Sequence, residues 1–398
     1  MRVGRLPAAV ALGSLFNPLN SSMIAVALVD IEAEFRVGLA VVTWLAAGFY
    51  LVAILAPPLM GVLADRFGAR RVFCAGLVAM AVTGVLAALA PSYPVLLAVR
   101  LLQAFGSCAT MPAGMAILAR PGAEAPVADG EGRPPPRVIA MISMVLAASA
   151  AVGPVLSGFL VSLWGWRAIF LVNVPLAAVA LVVALRWLPE VRGGGRRRAL
   201  LPRLRPGLLA TCGQFALANV VFYLAFFAVP LWAQRSAGVP AHLAGLLVLP
   251  MAALGIVATP LAVALAARAG LRAVLVLGAA LLVCGSCVML AVGPLGLMLT
   301  VASLLGVASA FSQFGLNSLV FVHADGRDTG VAVGVFQASR YVGAGAAASL
   351  VGVLFAGPGL EGGGWTMAVV SAVVLVGGVL LPVRRPAPAA GGEDRSGP

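Results

Sequence analysis

Long apolar stretches alternate with short polar breaks along almost the whole chain. Twelve stretches stand out, at residues 7–29, 41–63, 73–90, 93–119, 138–162, 168–188, 207–232, 243–266, 272–292, 295–321, 328–356 and 365–383. Each is close to or above the roughly 20 residues that carry a helix across the hydrocarbon core of a bilayer. Lipid offers backbone groups no hydrogen-bond partners, so stretches of this length predict helices. The expectation is an all-α polytopic membrane protein with twelve transmembrane helices. The first stretch follows Arg2 and Arg5, as in a secretory signal, but it is too long for the apolar part of one and is read as a retained span.

Composition narrows the class. Apolar residues make up 62% of the chain and charged residues 10%, against about 45–50% and about 25% in soluble domains. The mean hydropathy is +1.08, and a water-soluble fold has no interior large enough to hide such a surface. All 26 basic residues are arginine, which excludes a Walker A phosphate loop and a Schiff-base lysine. His242 and His323 are the only histidines, so zinc sites of the HExxH kind are excluded as well. Five cysteines, mostly inside apolar runs, give no disulfide framework; Cys284 and Cys287, in a CGSC run, read as small apolar filler. No catalytic residue, metal or organic cofactor is expected.

The net charge of +13 raises the question of nucleic acid, and the distribution answers it. The arginines sit in short loops between apolar stretches, without interleaved aromatics, so no nucleic-acid partner is expected. Their asymmetry instead sets an orientation. With the N-terminus cytoplasmic, 21 arginines fall inside: Arg2, Arg5, Arg66, Arg70, Arg71, Arg268, Arg272, Arg327 and those of the 120–137 loop, the 186–205 loop and the tail. Arg36, Arg167 and Arg235 fall outside, and Arg100 and Arg340 lie within spans. The expected location is the cell membrane, with both termini cytoplasmic.

The chain also repeats itself. A shift of 202 aligns Pro58 with Pro260, Arg66 with Arg268, Gly68 with Gly270 and Arg70 with Arg272. A shift of 203 aligns 101–106 with 304–309, and a shift of 190 aligns Ser149 with Ser339 and Gly153 with Gly343. Two copies in one orientation require an even number of spans each. The expected organisation is a six-helix bundle at 1–188, a cytoplasmic Arg/Gly-rich linker at 189–206, a second six-helix bundle at 207–384 and a disordered cytoplasmic tail at 385–398. Parallel repeats of this kind place a substrate cavity between the halves near the bilayer midplane.

Four motifs carry chemistry. The run GVLADRFGARR at 61–71 follows the second span and contains Gly61, Asp65, Arg66, Gly68, Arg70 and Arg71. Asp65 is suited to cap a helix start and pair with an arginine, Gly61 to allow close helix contact and Gly68 to form a tight turn, which together suit a cytoplasmic gate. In the second copy Ala267 replaces the aspartate. The fourth span holds Arg100, Gln103 and Gly106, and a cation at that depth needs a partner or a wet cavity. The fifth holds Gly153, Pro154, Ser157 and Gly158, suited to a kink and close packing. The sixth opens on WGWRAIFLVNVP at 164–175.

These runs resemble the major facilitator superfamily, and within it the drug:proton antiporters of the multidrug efflux type. They match the patterns GxLaDrxGrr, RxxQGxG, GPxxGG and WrWiFliNvP, with Ala104 and Ser157 replacing a glycine each. The resemblance implies a secondary transporter that works by alternating access as a monomer. It implies export of a small amphiphilic drug or secondary metabolite, powered by a proton gradient. Two departures stand out. The linker at 189–206 replaces two extra helices of the fourteen-span branch, and Asn20 occupies the place of an aspartate. An amide takes up no proton in this range, so the nearest surviving acid, Asp30, is expected to couple transport to protons, reached by Arg100 and assisted by Gln103. Glu32, Glu34 and Glu361 are expected in outer loops.

Polar side chains within spans nominate a substrate cavity: Asn17, Asn20 and Ser21; Gln214, Asn219 and Tyr223; Gln313 and Asn317; Gln337 and Arg340. Any one amide can equally serve as glue between helices. A metabolite importer or uniporter of the same fold stays open, since Asn20 permits it. A membrane sensor or enzyme is the remoter alternative.

Overall fold

Helices stand at the place of each apolar stretch, in sequence order. The computed structural model describes residues 5–118, 136–190, 206–290, 295–323, 329–355 and 361–380. Its helices are α1 (Arg5–Ser14), α2 (Phe16–Phe35), α3 (Leu39–Val42), α4 (Trp44–Phe67), α5 (Ala69–Ala88), α6 (Tyr93–Leu118), α7 (Pro136–Trp164), α8 (Ala168–Leu171), α9 (Asn173–Trp187), α10 (Pro206–Arg235), α11 (Ala241–Leu247), α12 (Leu249–Leu290), α13 (Leu295–His323), α14 (Thr329–Leu354) and α15 (Glu361–Leu380). α1 and α2 form one rod, since Leu15 and Leu19 continue the ladder to the carbonyls of Ala11 and Leu15, both at 3.1 Å. Among the described residues nine helical runs are long and apolar enough to cross a membrane, and Gly364–Leu380 is a shorter apolar helix. One of the nine, Ala241–Leu290, is two helices meeting at Gly270 (φ 82°, ψ 167°). The expected tail and most of the expected linker lie outside the described residues.

The surface confirms the solvent. Leu55, Leu89, Leu163, Val257, Val353 and Val369 are all exposed large apolar side chains. Small residues and aromatics fill the interior, where Ala25, Ala27, Phe49, Ala104, Ala225 and Ala347 are buried. That inversion suits helices that touch lipid outwardly and pack on one another through small residues.

The repeat is carried into three dimensions. Gly68 and its counterpart Gly270 both take positive φ, 96° and 82°, where the chain turns from one rod into the next. A side chain with a Cβ is strained there. Arg70 then donates to the carbonyl of Leu185 at 2.6 Å, and its counterpart Arg272 donates to that of Val379. Gly153 and Gly343 match in the same way. A Cβ at Gly153 would lie 1.8 Å from Ser22 Oγ of α2, and one at Gly343 would lie 2.2 Å from the Ala216 carbonyl oxygen of α10. α7 therefore leans on α2 as α14 leans on α10.

The first half (α1–α9) and the second (α10–α15) touch through α2 with α10 and α11, α3 and α4 with α14, and α7 with α11 and α12. Among the described residues, the hydrogen bonds, ring contacts and close glycine approaches joining them lie between the level of Asn17 and one end of the molecule. At that closed end Arg235 pairs with Glu32, and Gln234 donates to the carbonyl of Val26 at 3.1 Å. A Cβ at Gly245 would lie 2.3 Å from the Pro154 carbonyl oxygen, one at Gly158 would lie 2.6 Å from that of Ala241, and one at Gly352 would lie 2.5 Å from Ala40 Cα. Toward the opposite, arginine-rich end the halves part. α1 packs on α6, α7 and α9 of its own half, Gln337 is exposed, and a Cβ at Gly334 would meet nothing within 4 Å.

Candidate functional site

Among the described residues the most deeply buried charge is Arg100, 1% exposed in α6. Its guanidinium donates to the Asn20 carbonyl at 2.7 Å and to Gln103 Oε1 at 2.7 Å. Longer bonds reach Asn20 Oδ1 at 3.4 Å and the Leu45 carbonyl at 3.5 Å. The rings of Phe49 and Phe170 flank it at 4.6 and 5.8 Å. Asn20 and Asn173 exchange a reciprocal pair of bonds at 2.8 and 3.1 Å.

This network corrects two expectations. Arg100 does not reach Asp30: its donors are taken by oxygens around Asn20, and ten residues of helix, about 15 Å, separate the two levels. Nor is Asn20 a cavity residue. At 3% exposure it is enclosed between α6 and α9, because Asn173 satisfies its amide. Gln103 Nε2 is buried with no partner. Glu32 and Glu34 belong to the last turns of α2 rather than to loops. Glu34 is held by Arg167 at 2.6 Å and by the Trp166 indole.

In the second half the nominated amides also divide. Gln214 donates to the Val374 carbonyl at 2.7 Å and lies under Gly377, so it fastens α10 to α15 instead of lining a cavity. Asn219 donates to Phe215 O at 2.8 Å, Gln313 to Ser309 Oγ at 3.0 Å and Asn317 to Gln313 O at 2.9 Å. Asn219 and Gln313 face a small cleft with Ser309, Ser312, Phe215, Phe222 and Leu282. That cleft lies inside the second half, not between the halves.

Below the closed end, a further set of residues meets across the halves in one polar and aromatic cluster. Tyr341 donates to Asn17 Oδ1 at 3.1 Å, and Asn17 Nδ2 reaches Ser107 Oγ at 3.4 Å and Cys108 Sγ at 3.3 Å. Arg340 Nη2 donates to the Tyr223 hydroxyl at 3.2 Å. The ring of Tyr50 lies 5.5 Å from that of Tyr223, 6.3 Å from that of Tyr341 and 6.5 Å from that of Phe227. Sequence reasoning nominated Asn17, Tyr223 and Arg340 but passed over Tyr50 and Tyr341. A signal was available, since the chain has only four tyrosines and a phenol in an apolar span wants a polar partner.

The expected gate is more local than its motif suggests. Asp65 and Arg71 are exposed, and Asp65 sits in the last turn of α4. No side chain caps the start of α5, so the expected Asp65 cap is absent. A Cβ at Gly61 would meet nothing within 4 Å, so no close helix contact forms there. Arg66 lies 5.4 Å from the Phe67 ring. Arg70 fastens α5 to the end of α9, with Glu190 at 3.7 Å. The Gly153–Gly158 motif instead forms the contact described above, Gly153 within its half and Pro154 and Gly158 against α11.

Two similar helical halves, joined at one end around a polar centre, make up a membrane transporter. The chain belongs to the Major Facilitator Superfamily, whose family model matches residues 10–348 and 210–397. It is similar to an uncharacterised MFS-type transporter, YwoD, of Bacillus subtilis (strain 168), at 29% identity over 87% of this chain and 89% of that one. It is 33% identical to a methylenomycin A resistance protein of the same organism over 49% of this chain, and 32% identical to a tetracenomycin C resistance and export protein of Streptomyces glaucescens over 46%. Those two matches span 40% and 33% of the relatives' length. A crystal structure of the nucleoside transporter NupG shares the fold with a TM-score of 0.74 at 14% identity, covering 94% of this chain and 99% of that one. A bacterial homologue of the lysosomal transporter Spinster, crystallised inward-facing, gives 0.73 at 17% identity over 96% and 95%. The protein is a multi-pass membrane transporter and not an enzyme.

Proposed function

We propose that this transporter exports a small amphiphilic drug or secondary metabolite from the cytoplasm by alternating access, in exchange for protons. The observation that carries the reading is the one-sided contact between the halves. They seal at the closed end, part toward the arginine-rich end, and hold the Asn17–Tyr50–Tyr223–Arg340–Tyr341 cluster where they part. Taking the arginine-rich end as cytoplasmic, the geometry is the inward-open state, ready to load from the cell interior. The names of the resistance and export relatives support the direction and the substrate class.

The experiment is dye and drug efflux from energised vesicles, with and without a pH gradient. Efflux that collapses with the gradient supports antiport. Efflux indifferent to it removes protons from the reading and favours the uniporter that Asn20 permits, and uptake in place of efflux reverses the direction.

Orientation is checked separately. Ser236→Cys, at the closed end, is expected to react with a membrane-impermeant maleimide on intact cells. Ala267→Cys, at the arginine-rich end, is expected to react only after permeabilisation. The opposite pattern would invert the topology and, with it, the direction of export.

A further inference from the structure

A guanidinium inside a membrane protein is costly and ordinarily finds a carboxylate. Arg340 has none among the described residues. Its one hydrogen bond there goes to the Tyr223 hydroxyl at 3.2 Å, and the Tyr341 ring lies 5.8 Å away. A phenol occupies one of the five N–H donors of an arginine. Arg100 makes the contrast plain, because backbone and amide oxygens from three helices surround it.

A second donor beside Arg340 is also unspent. The Tyr50 hydroxyl makes no well-formed hydrogen bond although Tyr50 is 1% exposed, and the Ser21 side chain is the polar group beside it. The Ser21 hydroxyl donates to the Pro18 carbonyl at 3.0 Å, which leaves only its oxygen lone pairs to face Tyr50. An unpaired buried donor of this kind calls for an explanation. Tyr341 spends its own O–H on Asn17. The centre therefore holds a guanidinium with most of its donors unspent and a phenol donor without a well-formed bond, walled by aromatic rings, and it lies where α14 separates from the first half, one turn from the exposed Gln337.

We infer that this centre binds an amphiphilic organic anion. Its carboxylate or phenolate oxygens accept from Arg340 and Tyr50, and its aromatic body lies against the rings of Tyr223 and Tyr341. An amphiphilic cation of the same shape is repelled by the guanidinium. The inference rests on the transporter reading above and adds the sign of the substrate's charge.

The test uses two dyes with the same xanthene body, fluorescein (anionic) and rhodamine 6G (cationic), and equilibrium binding to the purified full chain by fluorescence anisotropy. Fluorescein is expected to bind at least about tenfold more tightly than rhodamine 6G. Arg340→Gln is expected to weaken fluorescein by about 10- to 100-fold, the worth of a lost hydrogen bond to a charged group, without weakening rhodamine 6G. Tyr50→Phe is expected to weaken fluorescein several-fold with little change in unfolding temperature, because its hydroxyl makes no well-formed bond within the protein. Tighter binding of rhodamine 6G to the wild type would overturn the inference, as would an equal loss of both dyes in Arg340→Gln. Should Arg340→Gln fail to fold, Arg340→Lys and Tyr50→Phe decide, and full fluorescein affinity in both sinks it. Binding as expected with no flux of either dye in vesicles would refute transport while leaving the anion site intact.

Discussion

Gly245→Leu is expected to reduce transport at least about tenfold and to leave the closed end ajar. A Cβ at this position would stand 2.3 Å from the Pro154 carbonyl oxygen and 3.0 Å from its carbon, both backbone atoms of α7. Backbone has no rotamer to offer, so α11 and α7 have to separate. Overpacking of this sort costs about 1–3 kcal/mol, and about 1.4 kcal/mol already shifts a two-state equilibrium tenfold. A transporter that cannot re-seal one end cannot complete its cycle. Ala47→Cys reports the change, because Ala47 is buried beside Gly345 of α14 while the closed end is shut. In Gly245→Leu it becomes reactive to an impermeant maleimide from that side. An unreactive Ala47→Cys together with full flux would mean that this contact is not the seal.

The second large effect is on stability. Arg100→Leu is expected to destabilise the first half by about 3 kcal/mol or more. The substitution strands Gln103 Oε1 and takes from the Asn20 carbonyl its bond beyond the helix ladder, both now at 2.7 Å from a donor, and a buried unsatisfied acceptor costs about 1–3 kcal/mol. It also empties the space between the rings of Phe49 and Phe170. Arg100→Lys recovers only part of the loss, since an ammonium cannot span the same fork of acceptors. Thermal unfolding followed with a thiol-reactive dye is the natural assay, because buried Cys108 reports on the same region. An unfolding temperature within a degree of wild type would show that the network is not structural.

Much of the architecture was legible because a membrane enforces it. Apolar runs of spanning length have one solution in lipid, and the aligned glycines Gly68 and Gly270 marked equivalent turns, which the shared positive φ bears out. The polar centre was harder. Gln214 and Arg340 look alike as polar residues in apolar spans, yet one fastens α10 to α15 and the other faces the gap between the halves. Each residue turns a helix by about 100°, so an uncertainty of two or three residues in where a span begins is enough to confuse the two faces. Asn20 misled for another reason. Its meaning depended on Asn173, more than a hundred residues away, and no spacing rule connects them. Tyr50 and Tyr341 were hidden by their rings, which let a tyrosine sit in an apolar span without breaking its pattern.

The paired contacts of Arg70 with Leu185 and Arg272 with Val379 have a consequence for how the molecule moves. Both carbonyls lie in the last turn of their helices, where the negative pole of the peptide dipoles collects. Each guanidinium is thus a brace that locks the foot of one helix to the neck of another, and each copy of the repeat has its own. The aspartate beside the first brace has no counterpart in the second, where Ala267 stands. Both copies of the repeat therefore carry the brace and only one carries the acidic handle, so the two bundles are tied alike at this corner and differ in what they can grip.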